Sequence, residues 1–179
     1  MSRLTVWNAG DTSVETTTED AADIARILAD INVRFERWDI APLPPGASAE
    51  DVLAAYRPRL DAFMDGTAAG SSDVIRLTPD HPMKDALRQK FLDEHIHTED
   101  EIRFFHEGSG NFVIHANGRV YDAHCTAGDL ISVPADYKHW FDAGEAPNFT
   151  ALRVFTDTSG WTPHYTGTDM AKRFPADTQ

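Results

Sequence analysis

The chain has 179 residues, of which 41% are hydrophobic and 25% are charged, a balance typical of one folded domain of ordinary size rather than of a disordered chain. Its 29 acidic and 16 basic residues give a formal net charge of −13, which argues against a nucleic-acid partner and against binding to an anionic membrane surface. Cys125 is the single cysteine, so we exclude an internal disulfide and a thiolate metal cluster.

The N-terminal part of the chain mixes helical and strand-like patterns. Residues 4–7 predict a short strand, and apolar residues at helical spacing between Ile24 and Ile31 predict an amphipathic helix. Residues 33–40 alternate in polarity, which predicts a strand. Because this region and the remainder contain no apolar run of signal-peptide or membrane-span length, we expect a cytoplasmic protein without a membrane partner.

A second helix is predicted to begin at Ser48, which forms a capping-box pattern with Asp51. Pro58 lies inside it and has no backbone N–H to donate, so we expect a kink or a break. Residues 73–78 then predict a strand, and residues 83–91 a short helix that leads to His95.

From His95 onward the patterns become those of short strands. The strand-like runs are residues 101–106, 111–115, 119–123, 130–133, 138–141 and 149–156, and turn signals separate them at 108–110, 117–118, 128–129 and 134–136. Many short strands at regular spacing predict a sandwich or a barrel. Residues 174–179 are expected to form a frayed tail.

The first chemical motif is the segment from Glu94 to Glu101. His95 and His97 are two residues apart, so on a strand both imidazoles project from one face and can approach the same ion. Glu101 adds an anionic oxygen if the chain turns back, and His139, in another strand-like run, is the candidate fourth ligand. A pair of exposed histidines on an acidic surface is the alternative.

A second motif surrounds His139, with Gly128 opening a strand and Pro134 closing it. Together the two segments resemble the two cupin motifs: His95, His97, Glu101 and Gly108 fit the first, and Gly128, Pro134 and His139 fit the second. Gln89 and Ala143 depart from the pattern at positions that hold no ligand. The resemblance implies a mainly β fold, a cupin-type double-stranded β-helix (jelly-roll barrel) with an α/β N-terminal extension.

The flanking residues narrow the resemblance further. Segments 90–97, 100–105, 138–144, 153–155 and 160–161 are together similar to those of the acireductone dioxygenase family, and the similarity extends from about Trp7 to Trp161. It implies one cupin domain over residues 1–179. Residues 1–92 would form the α/β extension and first strands, residues 93–161 the metal-binding core, and residues 162–179 a C-terminal tail.

Three imidazoles and one carboxylate leave two positions of an octahedral ion open for substrate, a donor set that suits Fe(II), Ni(II) or Mn(II) better than a closed zinc site. The family resemblance implies one Fe(II) or Ni(II) per chain and cleavage of the acireductone 1,2-dihydroxy-5-(methylthio)pent-1-en-3-one by O2, in methionine salvage. It implies 4-methylthio-2-oxobutanoate and formate with Fe(II). With Ni(II), it implies 3-methylthiopropanoate, formate and carbon monoxide.

Further site residues follow from the same resemblance. Arg103 and Arg153 are expected beside the substrate dianion, or else in structural ion pairs. Phe91, Phe141 and Trp161 are expected around the methylthio tail, although aromatic residues at such positions also serve as plain core. Asp100 is expected to be a hydrogen-bond partner of a ligand histidine or a base, with an exposed strand-end aspartate as the alternative.

Two other functions stay open from the sequence. One keeps the metal site and changes the reaction to that of another cupin dioxygenase or a metal-dependent isomerase. The other is a non-enzymatic, ligand-binding cupin, a class in which metal ligands are often missing. The high net charge gives no hint of a subunit interface, and we expect a monomer.

Overall fold

A computed structural model of the protein describes residues 1–65, 70–155, 162–174 and 176. In these ranges the regular structure is mainly strand. The strands are β1 (Arg3–Asn8), β2 (Val14–Thr18), β3 (Arg34–Arg37), β4 (Ser71–Leu77), β5 (His95–Ile96), β6 (Glu101–Ala116), β7 (Arg119–Thr126), β8 (Asp129–Val133), β9 (Lys138–Asp142), β10 (Phe149–Phe155) and β11 (His164–Tyr165). The helices are α1 (Ala21–Ala29), α2 (Ala49–Met64), α3 (Lys84–Leu92) and α4 (Met170–Arg173).

The strands form two antiparallel layers that share the long strand β6. One layer has the order β11-β5-β9-β6-β7-β1-β2, and the other contains β4, β10, β6, β8 and β3. The first half of β6 pairs with β8 and β10, whereas its second half pairs with β7 and β9. This arrangement is a cupin fold and confirms the mainly β architecture expected from the sequence.

The continuity of β6 corrects one expectation. Residues 108–110 were expected to form a turn between two strands, but they lie inside β6, where the strand changes partners. Gly108 has φ +72°, and a Cβ at this position would lie 1.8 Å from the carbonyl oxygen of Asn148. The glycine signal therefore marks a close approach of two backbones in a long strand, not a reversal of the chain.

The N-terminal elements extend and cover the two layers. β1 pairs with β7 and β3 pairs with β8, while α2 packs Tyr56 and Leu60 against the buried side of the second layer. The capping box of Ser48 and Asp51 is present. However, α2 continues through Pro58 without the break that was one of the expected outcomes.

The C-terminal segment is also more ordered than expected. Met170 and Phe174 are buried in a cluster with Val113 and Trp140, and the ring of Phe174 lies 5.9 Å from that of Trp7. The frayed tail predicted to begin at Phe174 is therefore wrong at that residue, because its ring is covered by the barrel; residues 175 and 177–179 lie outside the described part. Among the described helices, none is both long and apolar enough to cross a membrane.

Candidate metal centre and adjoining cavity

Three buried histidines converge at one end of the barrel. His95 on β5 pairs directly across the ladder with His139 on β9, and His97 follows β5. One ring nitrogen from each of the three lies within 4.8 Å of those of the other two. The spacing of two residues between His95 and His97 thus places both rings on one face, as the motif predicted.

Each of these imidazoles is oriented by a backbone carbonyl. The Nδ1 atoms of His95, His97 and His139 lie 2.6, 3.1 and 2.8 Å from the carbonyl oxygens of Asp93, Thr162 and Tyr137, respectively. A carbonyl oxygen only accepts hydrogen bonds, so each Nδ1 carries the proton. In the neutral imidazole the Nε2 atom then presents a lone pair.

Glu101 lies beside two of the three rings. Its Oε2 is 3.0 Å from Nε2 of His139 and 3.4 Å from Nε2 of His97, and its Oε1 accepts from Arg103 Nη2 at 2.8 Å. Burial alone would raise the pKa of Glu101, but the Arg103 charge and the two histidines hold it well below its ordinary value. The carboxylate therefore stays ionised although it is buried.

The cluster has the electrostatic character of a cation site. Burial, followed by the neighbouring His139, lowers the pKa of His95 to about 4, and His95 Nε2 is buried without a hydrogen-bond partner. An Nε2 lone pair that faces the ionised carboxylate needs a proton or a metal cation between the two, and one divalent ion would satisfy the rings and the carboxylate together. Three imidazoles and one carboxylate fit a divalent first-row transition metal.

A cavity of about 380 Å³ adjoins the centre. Leu87, Phe91, Phe141 and Phe149 contribute apolar surface to its wall. The Phe91 ring lies 5.8 Å from that of His95, so this part of the cavity wall is close to the centre. The structure brings Phe91 and Phe141 to the cavity, while their role around a methylthio tail stays a prediction; Trp161 lies outside the described residues.

The two predicted arginines both line this cavity. Arg103 is buried, donates to Glu101 and lies with its guanidinium carbon 4.6 Å from the centroid of the Phe141 ring. Arg153 makes a two-pronged ion pair with Asp73, at 2.8 and 2.6 Å. Both arginines thus face the cavity and also form the structural ion pairs that were the alternative reading.

Asp100 occupies a different position from the one expected of a histidine partner. It is exposed, and its carboxylate accepts from the backbone N–H of Ala135 at 2.9 Å. The acceptors for the three imidazoles are backbone carbonyls instead, so that expectation is wrong; the suggestion that Asp100 is a base stays a prediction.

Glu94 was not among the predicted site residues, yet its buried carboxylate anchors the C-terminal segment beside the centre. It accepts from Thr166 Oγ1 at 2.6 Å and Thr168 Oγ1 at 2.8 Å, and lies 2.8 Å from His115 Nδ1. The sequence signal that could have pointed to Glu94 was its position directly before His95, which places a charged side chain on the opposite face of the strand. No sequence signal could have pointed to the carbonyl of Thr162, because any residue type provides a backbone acceptor.

The fold and this donor set define the class of protein: a cupin with a candidate transition-metal centre beside an aromatic cavity. Within that class, the model of the ARD/ARD′ family matches residues 7–163, and the chain belongs to this family. The family resemblance seen in the sequence is thereby confirmed.

Curated relatives and a solved structure agree with this assignment. The chain is 60% identical over 180 residues to the acireductone dioxygenase of Granulibacter bethesdensis, covering 98% of this chain and 99% of the relative. It is 61% identical over 159 residues to that of Acidiphilium cryptum, covering 88% of each. The structure of Bacillus anthracis acireductone dioxygenase with a cadmium ion in its active centre matches with a TM-score of 0.82 and 30% identity, covering 92% of this chain and 98% of that one.

Proposed function

We propose that this protein is an acireductone dioxygenase that holds one Fe(II) or Ni(II) per chain through His95, His97, His139 and Glu101. Its substrate would be 1,2-dihydroxy-5-(methylthio)pent-1-en-3-one, which it cleaves with O2 in methionine salvage. The names of the curated relatives support the reaction, and the cadmium-bound relative supports a metal in the centre.

One observation carries the metal assignment. The Nδ1 atoms of the three histidines lie against carbonyl oxygens, so their Nε2 lone pairs converge on a buried space that also contains the Glu101 carboxylate. Without a metal, a proton must lie between each facing ring and the carboxylate, and the buried Nε2 of His95 has no hydrogen-bond partner among the described residues. A bound divalent ion would act as a template and Lewis acid for the enediolate oxygens.

The residues of the cavity have separate roles in this proposal. Arg103 and Arg153 provide fixed positive charge for the substrate dianion, since arginine keeps its charge in a partly dry pocket. Phe91 and Phe141 would form the apolar wall for the methylthio tail and exclude water from the reacting carbons, and Trp161 stays a predicted member of this group. This division of charge and apolar surface favours a small anion with a hydrophobic tail over the substrates of other cupin enzymes.

The metal is proposed to set the products. The Fe(II) form would yield 4-methylthio-2-oxobutanoate and formate, and the Ni(II) form 3-methylthiopropanoate, formate and carbon monoxide. The residues of the centre serve both forms equally, since imidazole and carboxylate ligands suit either ion. The cytoplasmic location and the monomeric state stay predictions.

The test is metal-restored turnover. The protein is stripped of metal, Fe(II) or Ni(II) is restored separately, and aerobic loss of the acireductone's ultraviolet absorbance is followed. We expect metal-dependent loss that disappears in His97→Ala and persists in His81→Ala, whose histidine lies outside the cluster. Carbon monoxide should appear with Ni(II) only. Full metal occupancy without turnover would refute the reaction.

A further inference from the structure

The rim of the cavity is unusually basic for this protein. Among the residues that the structure describes, four cationic side chains line it, against one carboxylate, that of Asp73. The chain as a whole has a formal net charge of −13, so its average field repels an anion that approaches from solution. Entry of an anionic substrate therefore depends on local positive charge at the cavity.

Three of the four cations are arginines whose charge is offset by a nearby carboxylate. The pairs are Arg103 with Glu101 at 2.8 Å, Arg153 with Asp73 at 2.6 Å, and Arg88 with Asp142 at 2.8 Å. An ion pair has a weak field at a distance, because its two charges largely cancel. These arginines can act on a ligand that is already inside, but they attract one poorly from outside.

Lys90 is the fourth cation, and it differs from the arginines. It lies exposed in the last turn of α3, and no carboxylate of the described residues forms an ion pair with it. Its ammonium nitrogen is 5.2 Å from the centroid of the Phe91 ring, which lines the cavity and lies 5.8 Å from the ring of His95. Lys90 is therefore a cavity-lining cation without an ion pair among the described residues, next to an aromatic ring that lies close to the candidate centre.

We propose that Lys90 is a specificity-determining residue that attracts the anionic substrate to the cavity and so raises kcat/KM without taking part in the reaction. The inference rests on the proposed function, because it needs an anionic substrate. Attraction from solution acts before the reacting atoms meet the centre, so kcat does not depend on it. It weakens with ionic strength, because the Debye length falls from roughly 30 Å at 0.01 M salt to roughly 8 Å at 0.15 M.

The experiment compares Lys90→Met, Lys90→Glu and Lys90→Arg with Lys172→Met in the metal-loaded enzyme. Lys172 is also exposed and basic, but it lies on α4 and does not line the cavity. At low salt we expect kcat/KM for the acireductone to fall about threefold in Lys90→Met and about tenfold in Lys90→Glu, with kcat unchanged. Lys90→Arg and Lys172→Met should match the wild type, and the differences should shrink at high salt.

A second measurement separates this inference from the proposed reaction. The affinity of the metal-loaded protein for ascorbate, an enediolate anion, is measured by calorimetry without oxygen at low and high salt. A Lys90-dependent affinity without acireductone turnover would refute the reaction and support the role of Lys90. If Lys90→Met and Lys172→Met turn over the acireductone with the same kcat/KM and the same salt dependence, the role of Lys90 is overturned. It is also overturned if the metal-loaded protein neither binds ascorbate nor turns over the acireductone.

Discussion

Arg103 Nη2 donates to Glu101 Oε1 at 2.8 Å, and both side chains are buried. The two residues are two positions apart on β6, so their side chains project from one face of the strand. The same guanidinium lies over the Phe141 ring, on the wall of the cavity. Arg103 therefore orients a candidate metal ligand and presents charge to the substrate site at the same time.

Removal of the Arg103 charge is expected to affect stability and metal binding together. Arg103→Met leaves the Glu101 carboxylate buried without its cation, which for buried pairs costs about 3–5 kcal/mol of unfolding free energy. Urea denaturation of the metal-free protein checks the stability, and elemental analysis checks the metal content. Arg26→Met is the matched control, since its pair with Asp23 is exposed and should contribute less than about 1 kcal/mol. Equal losses in the two variants would contradict the role of the buried pair.

Gly110 sets the position of the Phe141 ring. A Cβ at Gly110 would lie 2.5 Å from Cζ of Phe141, so Gly110→Ala must displace the ring from the cavity wall and from Arg103. We expect a loss of about 1–3 kcal/mol in stability and a higher KM for the acireductone. Gly70→Ala is the control, because its added methyl group meets no atom of the described residues within 4 Å. An unchanged KM in a folded Gly110→Ala protein would show that Phe141 does not shape the substrate site.

Glu94 is expected to anchor the C-terminal segment that carries Thr162. In Glu94→Gln the carboxylate charge is lost and an NH2 group replaces one acceptor oxygen, so the bonds from Thr166, Thr168 and His115 are weakened, at a cost of about 1–3 kcal/mol. Amide hydrogen exchange over residues 162–168 should become faster. Glu19→Gln, at an exposed position, should leave the exchange unchanged. Slow exchange in Glu94→Gln would mean that backbone pairing alone holds the segment.

His106 should make the fold sensitive to mild acid. Burial lowers its pKa, and its Nδ1 lies 2.8 Å from the Tyr56 hydroxyl, which accepts from the backbone N–H of Ala41. The Tyr56 proton is therefore available to Nδ1 of the neutral ring. Since the unfolded chain binds the proton more readily, the associated stability is present above about pH 6.5 and is lost as the pH falls toward the folded pKa.

The variant His106→Asn tests this pH dependence, because an asparagine oxygen can accept the Tyr56 bond without titrating. The free energy of unfolding is measured for both proteins between pH 7.5 and pH 5. The wild type should lose more stability than the variant over this interval. Parallel pH profiles would exclude a contribution from His106.

The metal motif could be predicted from the sequence because its geometry is local. A spacing of two places His95 and His97 on one face of a strand, and a glycine and a proline bracket the strand before His139. The carbonyl of Thr162 could not be predicted, since it is 65 residues from His97 in the chain and any residue type provides such an acceptor.

The limits of the fold prediction have a similar origin. Residues 108–110 have the composition of a turn, yet tertiary pairing with β10 and β7 keeps them within β6. The burial of Phe174 depends on the distant Trp7 and Trp140, which local composition does not reveal. Local sequence patterns thus predicted most strands. Contacts between distant segments determined where β6 continues and which residues cover Phe174.

The most direct test of the metal centre is anomalous diffraction from crystals of the Ni(II)-loaded protein, recorded on both sides of the nickel absorption edge. We predict one anomalous peak per chain, about 2.1 Å from Nε2 of His95, His97 and His139 and from a carboxylate oxygen of Glu101. A peak at any other site, or none at this cluster in a protein shown to contain nickel, would contradict the account.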